Sequence, residues 1–375
     1  MAEEKTWKPL DLIKVTSDYL ASKDVPGPRL DAEVLLCEIM GLKRRVDLYA
    51  GFEREISGKE LSAYRELIKR RAAREPVSRI LGRRDFMGLT FRVTPDVLSP
   101  RPETELLVEA AVELVRPKKQ RVETPEPVEK SVPEPEATPS GGMAEELERL
   151  LDSYSEDVED ENNLDQEFVP APTREKTPAR PRRETGEARR PARSAAKKPT
   201  ADEEPRAMIL DLGTGSGCIA VSVAAMLPGA TVVAVDASPK ALAVAKRNAE
   251  TAGVGDRVIP RQGDWFAGCR PEERFDIILS NPPYLVEGDD GIWPEVSRYD
   301  PPLALYGGRD GLDCYRRIVV GALDRLVPGG ALLFEVGADQ ARKVESLLSG
   351  AGFIGVETIR DYAGVERIVK GFAPE

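Results

Sequence analysis

The 375-residue chain contains no histidine and only four cysteines, Cys37, Cys218, Cys269 and Cys314, scattered without paired spacing. Without an imidazole there is no general base of the kind that activates a serine or cysteine nucleophile. Without paired cysteines or histidines a zinc site lacks its ligands, so no metal is expected. No apolar run approaches the roughly 20 residues that span a bilayer. The opening MAEEKTWKPL has neither the basic start nor the apolar centre of a secretion signal. A reducing, cytoplasmic setting with no membrane attachment is therefore expected.

A broad basic surface is missing as well. The formal net charge is −11, and residues 117–205, with 22 acidic and 15 basic side chains, carry −7 of it. The remainder is mildly acidic, which argues against the extensive phosphate contact that direct nucleic-acid binding needs. The same segment lacks apolar residues: it holds 13 prolines, and only 12 of its 89 residues are Val, Ile, Leu, Met, Phe, Trp, Tyr or Cys. Such a stretch cannot bury enough apolar surface to offset its ordering entropy, so it reads as a disordered insertion. Its charge is blocky, with 11 acids and one base over 145–167 and 10 bases and three acids over 174–198. Met143, Leu147, Leu150, Leu151, Tyr154 and Val158 share one helical face, leaving a partner-binding helix as the second reading behind a solvated loop.

What remains divides into two parts. Residues 1–85 read as a small helical domain. Leu10, Ile13, Val15 and Leu20 begin one apolar-periodic stretch, DAEVLLCEIM ends at Gly41, and Ser57 with Glu60 forms a capping box for a helix that stops before Pro76. RRDFMGLTFRVTP alternates and turns at Gly88, giving a β-hairpin linker over 86–95. From 96 to 375, around the insertion, strands alternate with helices. AMILDLG, TVVAVD, DRVIPRQ, FDIILS and GGALLFEV are short β-rich runs separated by helix-length sequence. That rhythm specifies an α/β fold with a mostly parallel sheet covered on both faces. FIGVETIRD and VERIVKGF flank Tyr362-Ala363-Gly364 as a closing antiparallel hairpin. A parallel sheet closed in this way is the Rossmann-like, seven-stranded methyltransferase arrangement.

The sharpest local signal is Asp211-Leu212-Gly213-Thr214-Gly215-Ser216-Gly217, directly after a strand and before a helix. Glycines there let a ligand approach the backbone closely. A dinucleotide fingerprint is G-x-G-x-x-G, but here the third glycine falls one residue early and Cys218 takes its place. No Lys-Ser/Thr pair is present for a P-loop. The pattern resembles the S-adenosylmethionine loop. Asp236 ends the next strand, where a carboxylate can take both ribose hydroxyls; Ser238 before Pro239 is the better helix cap. Asp264 and Trp265 follow the third strand, placed to accept from an adenine amino group and to pack on its ring, although a lone tryptophan is more often core.

After the fourth strand comes Asn281-Pro282-Pro283-Tyr284. The prolines stiffen the backbone, so the Asn281 side chain and the Pro282 carbonyl are held ready to accept from one NH2 group, with Tyr284 offering a flat face. Two acceptors on a delocalised amide nitrogen would orient its lone pair toward an electrophilic methyl without a general base.

Together these motifs resemble the release factor glutamine methyltransferases, protein-(glutamine-N5) methyltransferases. The likeness runs through REPVSRILGRRDF, VLSPRPETELLVE, DLGTGSG, AVDAS, GDWF, NPPY and RDYAGVERIVKG, nearly all of the chain outside 117–205. NPPY alone is shared with adenine and guanine methyltransferases; the PRPETE junction and the helical domain narrow the likeness. It implies methylation of the glutamine in the Gly-Gly-Gln loop of peptide-chain release factors, with the helical domain gripping the factor. It places the cofactor on the Gly213–Gly217 loop, Asp236, Trp265 and Asn281, the acceptor on Asn281 to Tyr284, and Arg101 and Glu103 at the border of the site. A plain helix start, with Pro102 near its first position, accounts for Arg101 and Glu103 equally well. The rival readings are a glutamine of a ribosomal protein, a nucleic-acid amino group, and a non-enzymatic scaffold.

Overall fold

A computed structural model describes residues 6–116, 206–289 and 291–375. The expected insertion at 117–205 lies outside the described residues, and so do both of its readings, the solvated loop and the partner-binding helix.

The N-terminal part is a bundle of α1 (Pro9–Ser22), α2 (Pro28–Met40), α3 (Val46–Ala50), α4 (Gly58–Ala72) and α5 (Val77–Leu81). The capping box forms as the residue types require: Glu60 N–H donates to Ser57 Oγ, and Ser57 N–H donates to Glu60 Oε2 at 2.9 Å. Gly41 ends α2 in the left-handed conformation. The bundle core gathers Leu12, Ile13, Leu20, Leu35, Leu36, Leu48, Tyr64 and Ile68. Each full burial of such an aliphatic or aromatic side chain stabilises by roughly 1.5–3 kcal/mol. Leu10, expected on that face, is exposed instead, because α1 starts at Pro9 and its inward stripe is set by Leu12, Val15 and Tyr19. The short helices α3 and α5 carry too few apolar turns to show as periodicity.

The hairpin is formed by β1 (Arg83–Phe86) and β2 (Leu89–Arg92), antiparallel around Met87 and Gly88. It therefore occupies 83–92 and not the expected 86–95. The shift has a visible cause: α5 stops at Gly82, which is left-handed, so pairing starts at once with Arg83 opposite Arg92. The hairpin is fastened to the catalytic part by Asn248, which is buried. Its Oδ1 accepts from Arg92 N–H at 2.8 Å, and its Nδ2 donates to Arg92 O at 3.2 Å and to Ser216 O at 2.8 Å.

The catalytic part is a seven-stranded sheet in the order β5-β4-β3-β6-β7-β9-β8. Its strands are β3 (Ala207–Leu212), β4 (Ala230–Asp236), β5 (Val258–Gln262), β6 (Phe275–Ser280), β7 (Leu326–Glu335), β8 (Ile354–Arg360) and β9 (Glu366–Phe372). The first five are parallel, and β9 runs antiparallel between β7 and β8. One face is covered by α6 (Glu105–Val115), α7 (Cys218–Met226) and α8 (Pro239–Thr251); a short α9 (Pro294–Ser297) follows the loop after β6, and the other face is covered by α10 (Asp313–Ala322) and α11 (Ala341–Gly350). The strand order reverses between β3 and β6, so the loops leaving these two strands part and open a crevice at their carboxyl ends. That is where ligands bind in open α/β sheets. Among the described residues no helix is long and apolar enough to cross a membrane.

Candidate active site

The glycine loop leaves β3 with Gly213, Gly215 and Gly217 at φ +73°, +55° and +78°, a region that side-chain-bearing residues rarely adopt. Gly217 is also constrained by space, since a Cβ there would lie 2.9 Å from Ala245 Cβ on α8. Behind the loop Asp211 is fully buried. Thr214 Oγ1 donates to Asp211 Oδ2 at 2.6 Å, and burial pushes the Asp211 carboxyl up to about 7. Asp211, Thr214 and Ser216, grouped by sequence with the ligand contacts, face the interior and shape the loop from beneath.

The loop's open side faces a cavity of 460 Å³ lined by Gly213, Gly215, Asp236, Asp264, Trp265 and Asn281, among others. Asp236 is not the cap of α8. Ser238 takes that role, accepting from Ala241 N–H at 3.2 Å. Instead Asp236 Oδ2 accepts from Gly215 N–H and Oδ1 from Ser238 N–H, both at 2.8 Å, so the carboxylate is aimed and each oxygen keeps a free lone pair. Trp265 has φ +49°, an uncommon backbone state for a bulky residue, and its ring passes within 3.7 Å of the position of a Cβ on Gly213. It belongs at once to the cavity wall and to the rim of the core. Asp264 differs from expectation in one respect: its exposed carboxylate is ion-paired with Arg317, whose guanidinium also lies 6.0 Å from the Trp265 ring centre.

The Asn281–Tyr284 loop leaves β6 and separates this cavity from a second one of about 630 Å³. Asn281 and Pro283 border the first, while Asn281, Tyr284, Arg101 and Glu103 border the second. Pro282 is buried between them. Tyr284 is half-buried, and desolvation raises its hydroxyl to about 12, so the ring stays neutral. Gln340, which opens α11, holds the loop by donating to Tyr284 O at 2.9 Å and to Gly311 O at 3.3 Å. Gly311 sits at φ +72°, and a Cβ on it would come within 2.3 Å of Tyr284 O and 2.5 Å of Gln340 Nε2. Gly311→Ala is expected to displace the acceptor loop, with about 1–3 kcal/mol lost from stability and a larger proportional loss of turnover. Thermal unfolding and steady-state rates on one preparation check this; an unchanged rate would show that the loop does not depend on this packing.

The second cavity lies between the helical bundle and the catalytic part. Two buried carboxylates from the chain after the acceptor loop tie the two parts together. Glu295 accepts from Arg74 Nε at 2.6 Å and from Arg71 Nη1 at 3.3 Å. Asp300, 1% exposed at its side chain, accepts from Arg79 Nη2 at 2.7 Å and Arg101 Nη2 at 2.8 Å. Arg101 is thus an anchored side chain at the rim of the second cavity. Sequence reasoning missed Glu295, Asp300, Arg317, Gln340, Thr104 and Glu335, all of which act through partners distant in sequence. The PRPETE junction was the one available signal, for three of its residues have tertiary partners: Arg101 on Asp300, Thr104 on Asn281 and Glu105 on Met87 N–H.

Comparison with known proteins agrees with this arrangement. Residues 11–82 match the family model described as the PrmC N-terminal domain, and residues 199–293 match the Methyltransferase small domain. The release factor glutamine methyltransferase of Geobacter sulfurreducens is 36% identical, over 97% of this chain and 96% of its own. Those of Chlorobaculum tepidum and Cereibacter sphaeroides are 34% and 33% identical, each over at least 97% of both chains. With near-complete coverage at this identity, and with the helical domain, glycine loop and acceptor loop all in place, the chain belongs to the release factor glutamine methyltransferase family.

Proposed function

We propose that this chain methylates the side-chain amide nitrogen (N5) of the glutamine in the Gly-Gly-Gln loop of peptide-chain release factors, with S-adenosylmethionine as donor. The observation that carries the reading is the position of Asn281. It stands in the wall shared by two cavities, one lined by the glycine loop and Asp236 and one between the helical bundle and the sheet domain.

The residues present fit the cofactor. A 460 Å³ cavity is within the usual range for a ligand of this size. Asp236 offers two aimed acceptors to a ribose, the glycines leave room for the methionine part, and Trp265 supplies an aromatic wall with a buried Nε1 that lacks a partner. Asp264 and Arg317 close the outer end. When bound, S-adenosylmethionine supplies an electrophilic methyl group on a positively charged sulfur.

The protein's own contribution is orientation and charge. Asn281 Oδ1 and the Pro282 carbonyl accept the two hydrogens of the substrate amide, which turns the nitrogen lone pair toward the first cavity. As positive charge develops on that nitrogen, both acceptors strengthen, so the interaction favours the transition state over the ground state. Tyr284 covers the flat amide, and the proton is lost to solvent afterwards. Arg101 and Glu103 border the path of the flanking Gly-Gly backbone.

Mass spectrometry of a purified release factor incubated with this protein and S-adenosylmethionine tests the proposal, with the Gln→Ala variant of the Gly-Gly-Gln loop as control. One added methyl on the loop peptide, absent from the control, is the expected result. A factor left unmethylated while the cofactor binds would overturn the substrate and point to a ribosomal protein or an RNA. The setting proposed is the cytoplasm, where peptide release takes place, and the charged segment 117–205 is proposed to be a solvated insertion that takes no part in the chemistry, with partner binding as the second reading. A chain with residues 118–204 replaced by a short linker is expected to keep its turnover within about twofold, a difference below the scale of one lost contact. Loss of cofactor binding in that chain, by calorimetry, would make the segment structural.

A further inference from the structure

The Asn281 carboxamide has two ends of nearly equal size, and only one orientation presents oxygen to the substrate. A flipped amide would set its NH2 against the NH2 it must receive. Something must therefore choose the orientation.

The sheet register brings the candidates together. Ser280 at the end of β6 pairs with Phe334 on β7, so Asn281, just past β6, stands beside Glu335, the last residue of β7, which is itself paired with Ile368 on β9. Thr104, in the turn that opens α6, meets them there: Asn281 Nδ2 donates to Thr104 Oγ1 at 3.2 Å. Thr104 is 2% and Glu335 1% exposed, and Glu335 Oε2 has no hydrogen-bond partner. The backbone of Glu335 is fixed too, its carbonyl accepting from Tyr315 Oη at 2.9 Å.

We infer that Thr104 and Glu335 form a relay that fixes the orientation of the Asn281 carboxamide, making both of them positioning residues for methyl transfer. The relay rests on the proposed role of Asn281 as the substrate's acceptor. Its logic is the count of protons. A carboxylate only accepts, so in the relay the single hydroxyl proton of Thr104 is turned to the buried Glu335 carboxylate, one oxygen of which has no partner. Thr104 then has only lone pairs to offer Asn281, which must present NH2 to it and turn Oδ1 the other way. If Glu335 gains a proton it becomes a donor. Thr104 is then free to donate to Asn281 Oδ1, and the flipped amide is no longer disfavoured.

Protonation of Glu335 is accessible near neutrality. Burial pushes its carboxyl up to about 7 against the hydrogen bonds from Thr104 and Asn281; Glu103 adds to the rise and Arg367 opposes it. Tyr284, Tyr315 and Cys218 also face it, all three held neutral by burial. The ionised form lies above the raised pKa, so the competent orientation is favoured as pH rises and lost as pH falls through neutrality.

The chain has only four asparagines, Asn162, Asn163, Asn248 and Asn281, which makes the side-chain amide of Asn281 a tractable NMR probe after 15N-asparagine labelling. In the free protein that resonance is expected to move with pH, with a midpoint near neutrality. The kcat for the release factor should follow the same midpoint. In Glu335→Gln both dependences flatten, and kcat falls about tenfold at neutral pH while KM for S-adenosylmethionine stays within about twofold. Thr104→Ser restores the behaviour and Thr104→Val does not. An Asn281 resonance indifferent to pH would overturn the relay, as would Glu335→Gln with wild-type kcat. An acid limb that survives in Glu335→Gln would belong to Asp211, the other buried carboxyl near 7, and would also overturn it. A pH-coupled Asn281 resonance with no methyl on the release factor would support the relay and sink only the assigned substrate.

Discussion

Replacing Asn281 by alanine is expected to lower turnover by about 10²–10³-fold, the scale on which one aimed polar contact to a reacting group is worth in a water-excluded site. The side chain contributes little to the fold. It is held by a hydrogen bond from its Nδ2 to Thr104 Oγ1. Stability should therefore change by less than about 1 kcal/mol, within the usual net value of a single hydrogen bond. The loss should fall on kcat, because the oxygen is most valuable when charge has developed on the substrate nitrogen. Single-turnover rates with saturating release factor, beside cofactor affinity from calorimetry, separate these effects. Near-normal turnover in this variant would remove the acceptor model altogether.

The second large effect is expected at Asp300. Alanine there strips two guanidinium groups, Arg79 and Arg101, of their shared buried partner. Removing one member of a buried ion pair costs about 3–5 kcal/mol, because the remaining charge is left desolvated. For a protein of this size the loss should lower the unfolding midpoint on the order of 10 °C. It should also loosen the helical bundle from the catalytic part and release Arg101 at the rim of the second cavity, raising KM for the release factor. Asp300→Asn keeps the shape and one acceptor and should lose less. A midpoint shift under about 2 °C in the alanine variant would mean that the two parts are held together elsewhere, with the Glu295 cluster as the next place to look.

The chain's local signals carried much of this. The alternation of β-rich runs with helical stretches set the parallel sheet, because a strand buried on both faces must read as an uninterrupted apolar run. The glycine spacing after Leu212 distinguished the cofactor loop from a dinucleotide fingerprint, since the third glycine marks where α7 can begin. Asp236 was legible from its place at a strand end, and Ser238 as the cap from the proline after it. The proposed acceptor loop stood out because two prolines stiffen the backbone beside an asparagine at a strand's carboxyl end, the edge at which open α/β sheets bind ligands.

What stayed hidden depends on contacts between residues far apart in the chain. Asp211, Thr214 and Ser216 share the motif with Gly213 and Gly215, yet only the folded loop shows that the first three face inward. Asp264 carried no mark of Arg317, a partner 53 residues away. Thr104 and Glu335 are separated by more than two hundred residues, and neither stands out by type. The sequence by itself determined the fold class and the places of the glycine loop and the Asn281–Tyr284 loop at strand ends, because strand period, glycine spacing and proline stiffness act through a few neighbouring residues. Only the tertiary structure decided which carboxylates are paired, which face of each loop is open and what holds Asn281 in place. Those are properties of burial and sheet register, which exist only once distant segments have packed.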